Sequence, residues 1–203
     1  DGTDGGNVND LGGLVGTNYG TVHTSFTGGG VTLEFGTPGS GDSGDGEKET
    51  AGGLVGLNSG TVQDSYATAD VTGGSTLGGL VGDNDAVGTV ERSFSTGSVT
   101  GDIGAGGLVG YNNNVVTDSF WDYTNSESLD ENDGIGYDNE GTGDVTGLST
   151  AEMQGAEAAD NMPDLDFTDV WATVDAETDA GVSADDYPVL RALDRETQLE
   201  AKR

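Results

Sequence analysis

The chain has no cysteine, one histidine, three prolines and only six basic side chains in 203 residues. Without cysteine there is no disulfide framework, no thiolate zinc site and no cysteine nucleophile. A single histidine, His23, leaves little from which to build a Ser-His-Asp triad or a multi-histidine metal site, and no GxSxG elbow accompanies it. No run of about 18 apolar residues occurs, so no transmembrane helix is expected. No basic segment precedes an apolar stretch as in a secretory signal peptide, and the chain reads as a mature or excerpted form. The Asn-x-Ser/Thr glycosylation signal is missing as well.

What is present in excess is acid. Thirty-seven Asp and Glu give a net charge of −31. Such a field repels phosphate backbones and anionic lipid headgroups, which argues against nucleic acid and membrane surfaces as partners. Four of the six basic residues, Arg191, Arg195, Lys202 and Arg203, lie in the last thirteen positions, so the body before them is more acidic still. Self-repulsion on this scale is relieved only when the Debye length shrinks, to about 3 Å at molar salt. The composition therefore reads as an adaptation to high salt, as in halophilic archaea. Low hydrophobicity with high charge often signals disorder, but the patterning argues for a fold.

The pattern is a repeat. GGLVG starts at Gly12, Gly52, Gly78 and Gly106, at spacings of 40, 26 and 28. Each copy is followed by an asparagine (Asn18, Asn58, Asn84, Asn112), a valine (Val22, Val62, Val90, Val116) and a Ser-aromatic pair ending in Phe26, Tyr66, Phe94 or Phe120. The longer first copy contains residues 36–49, which have no large apolar side chain and read as an inserted surface loop. Each unit holds short β-prone pieces with no helical period, and such pieces cannot bury a face alone. Stacked on their equivalents about 4.8 Å away, they can. The expected fold is all-β, a parallel β-helix of about four coils. Residues 1–120 form the coils, and 121–203 a small mixed α/β C-terminal cap. Glycine is expected at the corners for its positive φ. Asn18, Asn58, Asn84 and Asn112 are expected to form an inward amide ladder. The Phe26, Tyr66, Phe94 and Phe120 column is expected to be a packing stack in preference to a sugar platform.

The stretch GGLVGLNSGTVQDSYATADVTG, residues 52–73, resembles the GLUG repeat of bacterial and archaeal surface proteins, some of them adhesins and some IgA-specific metallopeptidases. The tail is similar to the segment that follows such repeats, at Ser119-Phe120-Trp121-Asp122, Leu148-Ser149-Thr150-Ala151-Glu152-Met153, Asp169-Val170-Trp171 and Tyr187-Pro188-Val189-Leu190. The resemblance implies a β-helical extracellular module. It does not carry over the peptidases' zinc chemistry, because no HExxH motif is present.

In the tail, Ser149 and Glu152 form a capping box ahead of a helix ending near Asn161, with Pro163 beyond. Trp171 and Val174 suggest a strand, and Pro188 is expected to open a last helix with Lys202 and Arg203 near its end. Trp121, Trp171 and the tail helices are expected to cover the open edge of the last coil. The first coil has no such cover, so self-association through an open solenoid edge is expected, with neighbouring chains, surface glycans or surface-layer proteins as partners.

Chemistry is sparse. Asp42, Asp45 and Glu47, and the pair Asp130 and Asp133, are the candidate positions for Ca2+, although solvated acidic loops describe them better. No other cofactor is expected. The reading is a non-enzymatic structural or adhesive module, a rigid stalk or filament block at the cell surface of a halophile. The alternatives are a receptor-binding spike or tail-fibre part of a virus of such a host, and a polysaccharide-acting β-helix enzyme, the last resting on fold analogy.

Overall fold

The computed structural model describes residues 10–32, 50–73, 76–101, 104–139, 141–176, 184 and 186–201. The expected loop at 36–49 lies outside them. The described coils form a parallel β-helix. One side stacks Asp10–Gly12, Thr50–Gly52, Thr76–Gly78 and Ala105–Gly106 in register. The next stacks Val15–Asn18, Val55–Asn58, Val81–Asn84, Val109–Asn112 and Ile135–Asp138. A third stacks Thr21–His23, Thr61–Gln63, Thr89–Glu91 and Val115–Asp122, followed by Gly143–Leu148. Phe26–Thr27, Tyr66–Ala67 and Phe94–Ser95 join the far half of that last long strand. Gly30–Thr32, Asp70–Thr72 and Val99–Thr100 complete the turn.

Stacking does not stop at residue 120. Ile135-Gly136-Tyr137-Asp138 lies on Val109-Gly110-Tyr111-Asn112 as the second strand of a fifth, shorter coil. The boundary expected at 120/121 falls inside the strand Val115–Asp122.

The lumen is narrow and apolar. Leu54, Leu80 and Leu108, with the Val55, Val81 and Val109 column and the Val62, Val90 and Val116 column, are fully buried in one cluster. Ala51 and Leu77 pack with Val31, Val71 and Val99 in another. Each buried Leu or Val contributes about 1.5–3 kcal/mol.

Glycine works here through close approach. A Cβ on Gly12, Gly52, Gly78 or Gly106 would lie within 2.0 Å of a valine carbonyl oxygen in the same turn. A Cβ on Gly107 would strike the Trp121 ring. The positive-φ corner is carried instead by Thr24, Asp64, Arg92 and Asp118, at φ 46–52°. Glycine takes a positive φ as expected at Gly29 and Gly104, at φ 94° and 62°, but not at this recurrent corner. Non-glycine residues in this region cost about 1–2 kcal/mol each, and the serine that follows helps to hold them. Ser65, Ser93 and Ser119 each accept from the backbone N–H of the serine one coil earlier, at 3.1–3.2 Å. Each hydroxyl also donates to the carbonyl two residues back.

The tail begins with helix α1 (Thr150–Met153), whose Ser149–Glu152 capping box forms as expected. It is not one continuous helix. Gln154 is extended and Gly155 has φ +67°, so the chain restarts as a 3-10 turn and helix α2 (Ala158–Asn161). Trp171–Val174 pairs antiparallel with Asp186–Leu190. Pro188 therefore sits in a strand, at its pairing irregularity, where a missing N–H is tolerated. It does not open the last helix, which is α3 (Arg195–Ala201). The tail also packs elsewhere than expected. Trp121 fills the lumen with the coil valines. Trp171, Met153, Met162, Leu165 and Leu190 pack on the outward Tyr66, Phe94 and Phe120 column, along the flank of the coils.

Candidate functional site

The asparagine ladder is built as expected. Asn18, Asn58 and Asn84 each donate Nδ2–H to the Oδ1 of the next rung at 2.8 Å. Asn112 donates to Oδ1 of Asp138 at 2.9 Å. Asn58, Asn84 and Asn112 are fully buried. The ladder has a direction, since every amide donates toward the C-terminal end. Its last rung is a carboxylate that only accepts, with Oδ2 of Asp138 taking the Gly143 N–H at 3.0 Å. These residues are structural, and their donor and acceptor groups are turned inward.

The aromatic column is likewise a packing device. Phe26, Tyr66 and Phe94 stack with centroids 5.3 and 5.0 Å apart, and Trp171 lies against the last two. A second stack, Tyr111 on Tyr137 at 4.9 Å, is on the outer face and was not anticipated. Tyr137 remains half exposed.

The seam between coils and tail centres on Asp122, which is fully buried. Its Oδ1 accepts from Thr124 N–H and Oγ1–H. Its Oδ2 accepts from the Thr150 hydroxyl and the Tyr187 phenol, both at 2.6 Å, and from Asn125 Nδ2 at 3.2 Å. A buried charge is tolerated only when hydrogen-bonded this fully. Burial first, and the Asp122 carboxylate second, raise the Tyr187 phenol above its ordinary range. A second anchor is Gln198, also fully buried, which accepts from the Leu190 N–H at 2.7 Å and donates to the Leu190 carbonyl at 3.0 Å. Its Oε1 also accepts from the Tyr66 hydroxyl at 3.2 Å. Burial is the main cause that raises the Tyr66 phenol. The tail motifs around Trp121-Asp122, Ser149-Thr150 and Tyr187 thus meet at one junction. Sequence reading assigned no role to Asp122 or Gln198; a carboxylate directly after an inward tryptophan was the available signal.

Beside that junction lies a groove of about 510 Å³ whose walls include Thr68, Asp70, Thr96, Ser98, Asn125 and Tyr187. Asp70 Oδ1 is fixed by the Ser98 N–H and hydroxyl, both at 2.8 Å. Asn125 Nδ2 is spent on the Thr96 carbonyl, Asp122 and the Tyr187 oxygen. Ala201, from α3, closes one end where Thr68 donates to its carbonyl.

Of the candidate calcium positions, Asp42, Asp45 and Glu47 lie outside the described residues. Asp130 and Asp133 close their own turn, taking backbone N–H groups of Asn132 and Asp130. Among the described residues no group of three His, Cys, Asp or Glu side chains is placed to hold a metal. His23 is exposed and lies beside Thr24.

No curated protein and no solved structure matches the chain. Residues 49–72, which span the second coil, match the family model described as the GLUG motif, and this supports a GLUG-repeat protein of β-helix type.

Proposed function

We propose that the chain is a non-enzymatic structural and adhesive module, a rigid solenoid segment at the cell surface of a halophile. The observation that carries the reading is the unbroken ladder from Asn18 to Asp138, which ties five coils together through buried hydrogen bonds in one register. A rod whose side chains are committed to holding its own layers transmits load and spaces other parts apart. The resemblance to surface-protein repeats and the net charge of −31 support the location and the salt habitat.

The ladder also supports a reading of what would fit on the first coil. Asn18 Oδ1 accepts only the Gly20 N–H of its own coil, among the described residues. Leu14 is 51% exposed where Leu54, Leu80 and Leu108 are 0%. A further coil with an inward amide and leucine would complete both. The C-terminal coil of a second copy would bring the acceptor-only Asp138 instead, so a repeat-type coil of a neighbouring segment or chain is the better fit than head-to-tail self-association.

Pulling single molecules from both ends in molar salt tests the rod. A single high-force rupture of the coils is expected, and coil-by-coil yielding at low force would refute it. Antibodies against the chain should label intact cells of the source organism. Labelling only after lysis would refute the surface location. A variant with a copy of residues 50–75 inserted before Asp10 should melt higher, and an unchanged or lower melting temperature would refute the stacking face.

A further inference from the structure

We propose that the groove at the coil–tail seam binds a short neutral saccharide. The inference goes beyond the rod reading and stands on the groove alone. Its volume, about 510 Å³, falls in the range of small-ligand sites, roughly 300–1,000 Å³. Such sites are commonly apolar, whereas this one is walled by hydroxyls, an amide and a carboxylate. An apolar ligand would strand those groups without partners.

Charge narrows the class. Among the described residues the lining includes Asp70 and no basic side chain, on a chain of net charge −31, so an anionic ligand is repelled. A hydroxyl-rich neutral molecule meets no such barrier, and each of its hydroxyls both donates and accepts.

The groups that remain available match that chemistry. Ser98 takes Asp70 Oδ1, and Asp70 Oδ2 is left as an acceptor. The two Nδ2 hydrogens, shared among three acceptors, fix the Asn125 amide, whose Oδ1 makes no hydrogen bond with the described residues. Thr96 is 6% exposed, and among the described residues its hydroxyl has no partner. Ser98 and Thr68 have donated their protons and keep lone pairs free to accept from sugar hydroxyls. The acceptors are held before the ligand arrives, which lowers the ordering cost of binding. The groove is also kept open by backbone. A Cβ on Gly29 would meet nothing within 4 Å, while Gly97 lies too close to the Ala69 carbonyl to carry one. The floor is tied between coils, with Asp70 N–H on the Gly29 carbonyl at 3.0 Å and Val71 N–H on that of Ser98 at 2.8 Å.

The test is calorimetric and NMR titration of the full chain, in molar salt, with neutral trisaccharides of glucose, mannose and N-acetylglucosamine, and with an oligogalacturonate as the anionic arm. At least one neutral trisaccharide should bind saturably, shifting the amides of residues 68–70, 96–98 and 125. Thr96→Val, close in shape, and Asp70→Asn should each weaken it by about tenfold, the loss of about 1.4 kcal/mol. Ser98→Ala, with an unchanged melting temperature, serves where a first variant fails to fold. No saturable binding by any neutral probe, a preference for oligogalacturonate, or full affinity in folded variants would each overturn the proposal.

Discussion

Replacing Asn84 by Ala removes the middle rung of the ladder and should cost about 3–4 kcal/mol. The figure follows from the partners. Asn84 is 0% exposed, donates to Asn112 Oδ1 at 2.8 Å and accepts from Asn58 Nδ2 at 2.8 Å. Losing two good bonds costs about 2 kcal/mol at the usual net value of about 1 kcal/mol each. The groups left behind are only partly stranded. Asn58 Nδ2 keeps the Thr89 carbonyl at 3.2 Å, and Asn112 Oδ1 keeps the Asn114 N–H at 3.2 Å. The Gly88 and Val115 carbonyls lose weaker contacts at 3.3 Å. Partial stranding and the small cavity add about 1–2 kcal/mol. Asn18→Ala at the first rung is the internal control. It breaks one ladder bond, and Asn58 Oδ1 keeps the Gly60 N–H at 3.3 Å. Its cost should be about 1 kcal/mol. Urea unfolding of both variants at one fixed salt concentration reads the difference as a shift in midpoint at constant slope. If Asn84→Ala costs no more than Asn18→Ala, the ladder does not carry the stability assigned to it.

Other changes probe the ends and the seam. Asp138→Asn keeps the shape but sets an NH2 against either the Asn112 amide or the Gly143 N–H, and should cost about 2 kcal/mol by the same unfolding assay. Asp122→Asn, which removes an acceptor shared by Thr150, Tyr187 and Asn125, should release the tail, read as rapid proteolysis after Leu148 with the coils intact. Tyr187 has a raised folded pKa, so its contribution is complete below the ordinary tyrosine value of about 10 and is lost as pH rises through the folded value. Tyrosinate absorbance should therefore show Tyr66 and Tyr187 ionising above the ordinary tyrosine range, and ionisation of both within that range would refute the docking. At the acid end, Ser149 holds Glu152 below the usual carboxylate range through its side chain and backbone. That contribution is present above about pH 4.3 and lost on acidification through the folded value, and Glu152→Gln should remove this pH dependence of α1 from NMR shifts.

The coils were legible because identical side chains repeat at the period of the stack. Shared Gly-Gly, Asn and Val positions fix register without any reference to loop length, which is why the long first spacing did no harm. The fifth coil was hidden because its rung is Asp138 instead of asparagine and its third strand, Gly143–Leu148, has no Ser-aromatic pair. Only the Ile-Gly-Tyr-Asp spelling, one period after Val-Gly-Tyr-Asn, was there to find. The place of the tail was hidden by parity. Strict alternation from the inward Val22 would turn Phe26 inward too. The left-handed corner at Thr24 flips the sequence, so that Phe26 faces out and Thr27 faces in, donating to the Gly53 carbonyl at 2.8 Å. Only Asp64 and Asp118 are alike among Thr24, Asp64, Arg92 and Asp118, so the corner carries no consistent signature of its own. The serine after it does, through the hydrogen bonds it makes in both directions. The groove combines coil corners with residues from beyond Asp122, and no local pattern could bring those together.

A chain with 37 acidic residues can form such a stack only if carboxylates are kept from facing one another between layers. Among the registered strand pairs, none sets Asp or Glu on Asp or Glu. Asp83 lies between Leu57 and Tyr111, Glu91 between Gln63 and Thr117, and Asp10 beside Thr50. At the left-handed corner, Arg92 pairs with Asp64 of the previous coil at 3.1 Å and with Glu91 at 2.9 Å, and both carboxylates help hold it protonated. Two like charges one strand spacing apart cost about 1 kcal/mol in water and more where solvent is partly excluded. Four such pairs would consume much of a typical stability of about 5–15 kcal/mol. Gln63→Glu puts a carboxylate directly against Glu91, on a half-exposed column with no change in size. The expected result is a loss of about 1 kcal/mol at low salt that disappears at molar sodium chloride, where screening acts within about 3 Å. Gln198→Glu would bury a new carboxylate in a site that is 0% exposed, where screening ions do not reach, so salt should not restore it. If the Gln63→Glu loss persists in molar salt, column placement is not what allows this acidic chain to fold.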